Sequence, residues 1–260
     1  MKHPMPSLSE MTAKQIRELP AKKVDRPLLP EEIPLVYNAF DAGWKYESGM
    51  LYHAKLKSDL CSDGFYFSGL VLCHDNWLEI MAQQIVWQHE QSGLLKPTVV
   101  YGIATGATEL GKMVAQVMGV AYGHMIKGHG KTFVASDTIT DAITGITRHL
   151  RFDDIVMIVE DVFTRFTAGS GAVNAIYAVL PSVVILPEVY GIYNRGNLGW
   201  VKTTNGLWLH VKGLIRQKLN EYEPGSVTCP MCEAGSIPIK PKDKEHPENW
   251  ELINTRFFAI

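Results

Sequence analysis

The stretch Ile155–Val173, "IVMIVEDVFTRFTAGSGAV", decides how this chain is read. An apolar run ends in two adjacent acids, Glu160 and Asp161. A small, hydroxyl-bearing loop follows, Thr167, Ala168, Gly169, Ser170 and Gly171, and leads into a helical pattern. A short apolar run bounded in this way reads as a buried strand of a parallel sheet. In such sheets ligands bind beyond the carboxyl ends of the strands, where both acids then stand. Small residues let backbone N–H groups converge on an anion, and a helix N-terminus adds a positive dipole. Carboxylates cannot hold that same anion. They suit hydroxyls or a metal ion beside it. Acids next to a phosphate cradle fit a sugar phosphate. An ordinary strand-to-helix turn with solvated acids accounts for the same residues without a ligand.

The flanking sequence repeats the alternation. "TVVYGI" reads as a buried strand, "TELGKMVAQVMG" as a helix stopped by Gly119, and "VAYGHMI" as another strand. "SGAVNAIYAVL" reads as a helix and "SVVILPEVYGIY" as a further strand. Upstream, "NWLEIMAQQIVWQHEQ" has Leu78, Met81 and Ile85 at helical spacing. Strands alternating with helices indicate an α/β fold with a central, mostly parallel sheet covered on both faces. "SDTITDAITGITRHLRFDD" reads as a mobile loop leading into a hairpin. Residues 1–35 are polar and proline-punctuated, with "RPLLPEEIP" as a loop, and the tail from Gly225 is rich in Pro, Lys and Gly.

Composition sets the outer limits. The chain has 260 residues, 46% of them hydrophobic, enough for one large core. A net charge of -2 gives no electrostatic case for nucleic acid or an anionic membrane. The N-terminus lacks the apolar segment of a signal peptide. Pro181, Pro187 and Glu188 interrupt the most apolar stretch, so it is not read as a membrane span. The expected setting is cytoplasmic. The four cysteines do not form a disulfide framework. Cys229 and Cys232 have metal-ligand spacing, which makes them a weak zinc candidate, because a tetrahedral site needs four ligands. No second pair follows, and His246 is the one further ligand at hand.

The pattern "EDVFT…TAGSG" resembles the phosphoribosyl pyrophosphate signature of type I phosphoribosyltransferases. The resemblance implies that Glu160 and Asp161 bind the ribose hydroxyls and that Thr167 to Gly171 bind the 5-phosphate. Arg165 and Phe166 stand as extra residues, so either Thr164 or Thr167 takes the first threonine's place. Other segments are similar to orotate phosphoribosyltransferases in particular. "VVYGIATGATELGKMVAQVMG" resembles the pyrophosphate loop, with Ala104, Thr105 and Gly106 at its turn. "HMIKGHGKTF" resembles the mobile catalytic loop, with Lys127 and His129 serving the leaving group. Gly123 and His124 stand where relatives carry Arg-Lys, and Lys131 is the residue that would compensate. "KLKSDLCSDGFYFSGLVL" resembles the segment covering the base, which implicates Lys57, Phe65 and Tyr66. In "VYGIYNRGN", Arg195 matches the base-binding arginine and Asn194 replaces the usual aspartate. The tail "YEPGSVTCPMCEAGSIPIKPK" resembles that of some archaeal and bacterial orotate enzymes.

The resemblance covers about Ser48 to Pro241. It implies one Rossmann-like phosphoribosyltransferase domain over 36–225, with 36–93 forming part of a hood over the base. An N-terminal extension (1–35) and a C-terminal wrap (226–260) complete the expected organisation. The implied reaction moves phosphoribosyl from phosphoribosyl pyrophosphate to a pyrimidine base, orotate first. Mg2+ would ride on the substrate, with no direct protein ligand expected, and the active form would be a homodimer. Lys127, His129 and Asp161 would be catalytic. A transferase for another base and a regulator that binds phosphoribosyl pyrophosphate without turnover remain as alternatives.

Overall fold

The computed structural model describes residues 5–129, 132–225 and 227–255. The chain begins with short helices α1 (Ala13–Arg17) and α2 (Glu32–Ala39). Small strands β1 (Gly43–Lys45), β2 (Tyr52–Lys55), β3 (Cys61–Ser62) and β4 (Gly64–Tyr66) follow, then helices α3 (Ser68–Leu72) and α4 (Asp75–Glu90). The main alternation comprises β5 (Val99–Gly102), α5 (Thr108–Met118), β6 (Ala121–Lys127), β7 (Phe133–Asp141), β8 (Thr147–His149), β9 (Ile155–Phe163), α6 (Thr167–Val179) and β10 (Val184–Asn194). The chain ends through β11 (Trp200–Lys202), β12 (Trp208–Arg216), β13 (Glu221–Tyr222), α7 (Pro230–Glu233), β14 (Ile237–Ile239) and α8 (Asn249–Leu252).

Eight strands form the main sheet, in the order β11-β12-β10-β9-β5-β6-β7-β8. The five central strands are mutually parallel, and antiparallel strands close both edges. Strand β9 shows why the sheet is covered twice. Its side chains alternate, with Val156 and Ile158 meeting Ala172, Val173 and Ile176 of α6 on one face. Met157 and Val159 meet the apolar stripes of α4 and α5 on the other. A strand buried on both faces carries apolar residues at every position, which is the run seen in the sequence.

The chain leaves β5 toward β6 on one side and leaves β9 toward β10 on the other. The two connecting helices also lie on opposite faces. A crevice therefore opens between the carboxyl ends of β5 and β9, the point where the topology switches direction.

Two segments differ from the sequence reading. The segment 136–154, read as a mobile loop leading into a hairpin, is itself the hairpin, β7 with β8, with no separate loop before it. The Asp141 carboxylate tightens its turn by accepting from the N–H groups of Ile143 and Thr144 and from the Thr144 hydroxyl. The N-terminal segment is less loop-like than its polarity implies. Leu8, Ile16, Leu19 and Val24 are buried against α4, and the Trp77 indole donates to the Ile16 carbonyl at 2.8 Å. A Thr12–Gln15 capping box starts α1, and α2 begins within the expected loop. Four apolar residues at irregular spacing left no periodic signal to read.

Helix α5 lies unusually close to β5. A Cβ on Gly111 would sit 2.5 Å from the Gly102 nitrogen, so only hydrogen fits there. Gly119 ends the helix in the left-handed region, at φ 65°. Gly111→Ala is expected to lose about 1–3 kcal/mol through overpacking at this contact, read from the midpoint of denaturant unfolding. An unchanged midpoint would mean that helix and strand separate without cost.

Candidate active site

A cleft of about 520 Å3 lies at the carboxyl end of the sheet, bounded by the end of β9, the start of α6 and the small strands above them. Glu160 and Asp161 both line it. They belong to β9 itself, which continues past them to Phe163. Glu160 is only 7% exposed. Burial, and then the neighbouring Asp161 charge, push its carboxyl well above the usual carboxylate range. Asp161 is half-buried. Gly106, from the loop after β5, faces its carboxylate so closely that a Cβ there would be 2.7 Å from an oxygen. The turn Ala104–Gly106, which contains a cis peptide between Ala104 and Thr105, is thereby brought against Asp161, although none of its three residues is among those lining the cleft.

The loop after β9 brings an uncapped helix start to the cleft. Helix α6 starts at Thr167, and its N-cap, Phe166, supplies no side-chain hydrogen bond. The first three N–H groups, those of Thr167, Ala168 and Gly169, have no carbonyl within the helix to reach. All three residues line the cleft, as does Thr164. Ser170 and Gly171 are not among the cleft-lining residues. The Ser170 hydroxyl accepts instead from the Thr204 N–H at 3.0 Å. The two extra residues have separate tasks. Phe166 adopts the left-handed region (φ 58°) and turns inward onto Gly169 and Phe163. Arg165 reaches Glu221 at 2.9 Å.

Lys57, Phe65, Tyr66 and Arg195 also line the cleft. Tyr66 packs its ring on Tyr193 at 4.2 Å between centroids, and Tyr37 meets it edge-on at 5.1 Å. It therefore serves the core as well as the cleft wall. Arg195 is 5% exposed. Its Nη2 donates to Ser62 Oγ at 2.9 Å and approaches Glu221 Oε1 at 3.4 Å. Its buried Nε–H has no hydrogen-bond partner among the described residues. Asn194 is occupied elsewhere, closing the turn onto Leu198 with two bonds of 2.7 and 2.9 Å. Support for Arg195 thus comes from Ser62 and Glu221.

Lys127 stands at the end of β6 and lines the cleft, whereas His129 is exposed at the tip of the β6–β7 hairpin and does not line it. Thr132 closes that tip by donating to the His129 carbonyl. Lys131 lies outside the described residues. Sequence reasoning missed Glu221, Lys240 and Lys242, all on the cleft wall. Lys242 sits over the Phe67 ring at 4.8 Å. Burial, then the charges of Lys127 and Lys242, push the Lys57 ammonium below its ordinary value. Seven cationic side chains (Lys55, Lys57, Lys127, Arg165, Arg195, Lys240, Lys242) line the cleft against three acids (Glu160, Asp161, Glu221), although the whole chain is acidic. Cys229 and Cys232 lie outside the cleft, in a cluster with His53 and Cys61. His246 is not in that cluster; it is exposed and pairs with Glu248.

No protein-family model matches the chain, and no curated protein matches it. Solved structures do. Orotate phosphoribosyltransferase from Aeropyrum pernix is 16% identical at a TM-score of 0.46, over 63% of this chain and 82% of that one. UMP synthase from Leishmania donovani is 13% identical at 0.47, over 71% of this chain and 35% of that one. Adenine phosphoribosyltransferase from Saccharomyces cerevisiae is 13% identical at 0.46, over 72% and 98%. At these values the chemistry rests on the cleft's own residues. No helix among the described residues is long and apolar enough to cross a membrane.

The buried acid makes stability depend on pH in a definite direction. A carboxyl raised in the folded state holds its proton longer there than in the unfolded chain. Its contribution is complete below the ordinary glutamate value, about 4.3, and is lost as pH rises through the folded value. Glu160→Gln is therefore expected to melt above the parent protein at pH 8, with the difference shrinking toward pH 5. Equal melting temperatures at both pH values would contradict the burial of this carboxyl.

Proposed function

We propose that this protein transfers a phosphoribosyl group from phosphoribosyl pyrophosphate to a ring nitrogen of a pyrimidine base, with orotate the first candidate. The observation that carries the reading is the cleft itself. One uncapped helix N-terminus, one pair of adjacent carboxylates and a surplus of cations face a single cavity. A phosphate suits the N–H groups of Thr167, Ala168 and Gly169. Ribose hydroxyls suit Asp161 and Glu160. A pyrophosphate, the most highly charged part of the substrate, suits the lysines.

The reaction forms a C1–N bond while the C1–O bond to pyrophosphate breaks, through an oxocarbenium-like ribose. Lys127, on the cleft wall, would stabilise charge accumulating on the leaving group. The Asp161 carboxylate offsets positive charge developing on the ribose. Arg195 would receive a carbonyl or carboxylate of the base, with Phe65 and Tyr66 lining the same cleft. Mg2+ fits this donor set as a passenger of the substrate. It would be held by the pyrophosphate and ribose hydroxyls of the substrate, with no direct protein ligand. When bound, it would neutralise charge on the pyrophosphate.

A second reading, binding without turnover, is favoured by His129, which stands exposed outside the cleft. As the resemblance implies a site shared between subunits, the active form is taken to be a homodimer; full activity in a species that light scattering shows to be monomeric would contradict this.

Pyrophosphate release measured in parallel with orotate, uracil, purine bases and nicotinate tests the proposal. Turnover with orotate is expected, and Asp161→Asn and Lys127→Ala are each expected to lower kcat by roughly 10²–10³. Turnover with another base would keep the mechanism and replace the substrate. Binding of phosphoribosyl pyrophosphate with no release for any base would favour the second reading.

A further inference from the structure

Away from the cleft, four side chains from two distant parts of the chain meet at one point. His53 comes from β2, Cys61 from β3, and Cys229 and Cys232 from the start and body of α7. Their candidate ligand atoms all lie within 4.8 Å of one another. His53, Cys61 and Cys229 are at most 1% exposed. We propose that these four residues form a tetrahedral zinc site that bolts the C-terminal segment to the small sheet above the cleft.

The distances carry the assignment. Zn–S bonds of about 2.3 Å and Zn–N bonds of about 2.0–2.1 Å at tetrahedral angles put sulfurs about 3.8 Å apart, and sulfur about 3.6 Å from nitrogen. Cys61 Sγ and Cys232 Sγ are 3.9 Å apart. His53 Nε2 is 3.8 Å from Cys229 Sγ and 3.6 Å from Cys232 Sγ. These separations are too long for disulfides, and all three thiols are free. The histidine is oriented as a ligand. Its Nδ1 meets the buried Ser236 hydroxyl at 3.1 Å, which fixes the ring and leaves Nε2 facing the sulfurs. Three thiolates and an imidazole in a tetrahedron suit Zn2+ over the oxygen-seeking Mg2+ or Ca2+. Buried thiols alone also pack as small apolar groups. That account gives no reason for a buried histidine aimed at them.

The site has a structural consequence. β14 pairs with β2, and β13 with β3, so the cluster sits where the tail joins strands from early in the chain. β14 runs directly into Lys240 and Lys242, β2 into Lys57, and β13 carries Glu221, which contacts Arg195. The metal would hold these cleft residues in register. The metal site stands independently of the proposed reaction.

Metal content of the full chain, purified without chelators, tests the inference. One zinc per chain is expected, retained in Cys73→Ser, whose thiol is exposed and outside the cluster, and lost in Cys232→Ser. If Cys232→Ser fails to fold, two measurements on the unaltered protein decide. Chelation is expected to lower its melting temperature, and Co2+ exchange to give the intense visible absorption of tetrahedral thiolate coordination. Substoichiometric zinc with no cobalt spectrum would overturn the site, as would zinc retained in folded Cys232→Ser or a Cys61–Cys232 disulfide found by mass mapping in its place. Loss of zinc without loss of pyrophosphate release would confine the metal to stability. Absence of enzymatic activity in zinc-replete protein would count against the reaction and leave the site intact.

Discussion

Two carboxylates stand side by side at the carboxyl end of the most central strand, and one of them is buried. This is the arrangement on which the rest of the cleft depends. Side chains of adjacent strand residues ordinarily point to opposite faces, yet at this strand end both carboxyls reach the same cleft and lie close enough to influence each other. Glu160 turns into the protein, where its charge is disfavoured by burial and by Asp161. Asp161 turns toward the loop after β5, and Gly106 gives way to it. A side chain at position 106 would collide with that carboxylate. The glycine and the acid thus fix each other's places across the topological switch point, and the crevice between β5 and β9 stays open because nothing larger than hydrogen fills that contact.

The cations around the acids come from elements far apart in the chain. Lys57 follows β2, Lys127 ends β6, Arg195 follows β10, and Lys240 and Lys242 follow β14. Gathering like charges is unfavourable, and the depressed Lys57 records part of that cost. The fold tolerates it by pairing at one point: Glu221 meets Arg165 on one oxygen and Arg195 on the other. Glu221 in turn is positioned by β13, which pairs with β3. The small sheet β13-β3-β2-β14 is therefore part of the cleft's construction as much as a cover for it. Its outer strands come from the tail, and its inner ones from residues 52–62.

What was legible in the sequence follows from the range of each signal. The strands β5, β9 and β10 and the helices α4, α5 and α6 announce themselves through apolar runs or 3.6-residue spacing, with Gly119 as a local stop. The acid pair and the loop after it are contiguous, so their placement on one cleft was readable too. The contacts that complete the cleft are not local. Ser62 meets Arg195 across 133 residues, and His53 meets Cys229 across 176. No spacing rule links such positions. Cys229 and Cys232 looked like half of a site because the other half lies on β2 and β3, and His246, nearer in sequence, faces solvent. The hairpin tip shows the converse. A K-x-H-G segment is easily found, yet of its two polar residues only Lys127 reaches the cleft.

Arg195 shows how selectivity could arise from this construction. Burial lowers its pKa, but a guanidinium remains charged under any ordinary condition. Ser62 and Glu221 satisfy one end of it and leave the buried Nε–H without a partner. A buried donor left without any partner costs roughly 1–3 kcal/mol. A ligand presenting an acceptor there recovers that cost, and one presenting only C–H does not. Sites built around unpaired polar groups reject ligands lacking the matching group far more sharply than apolar pockets reject a missing methylene. If the proposed reading holds, the base is chosen by a group that accepts from Arg195, with the aromatic side chains on the cleft wall selecting flatness and little else.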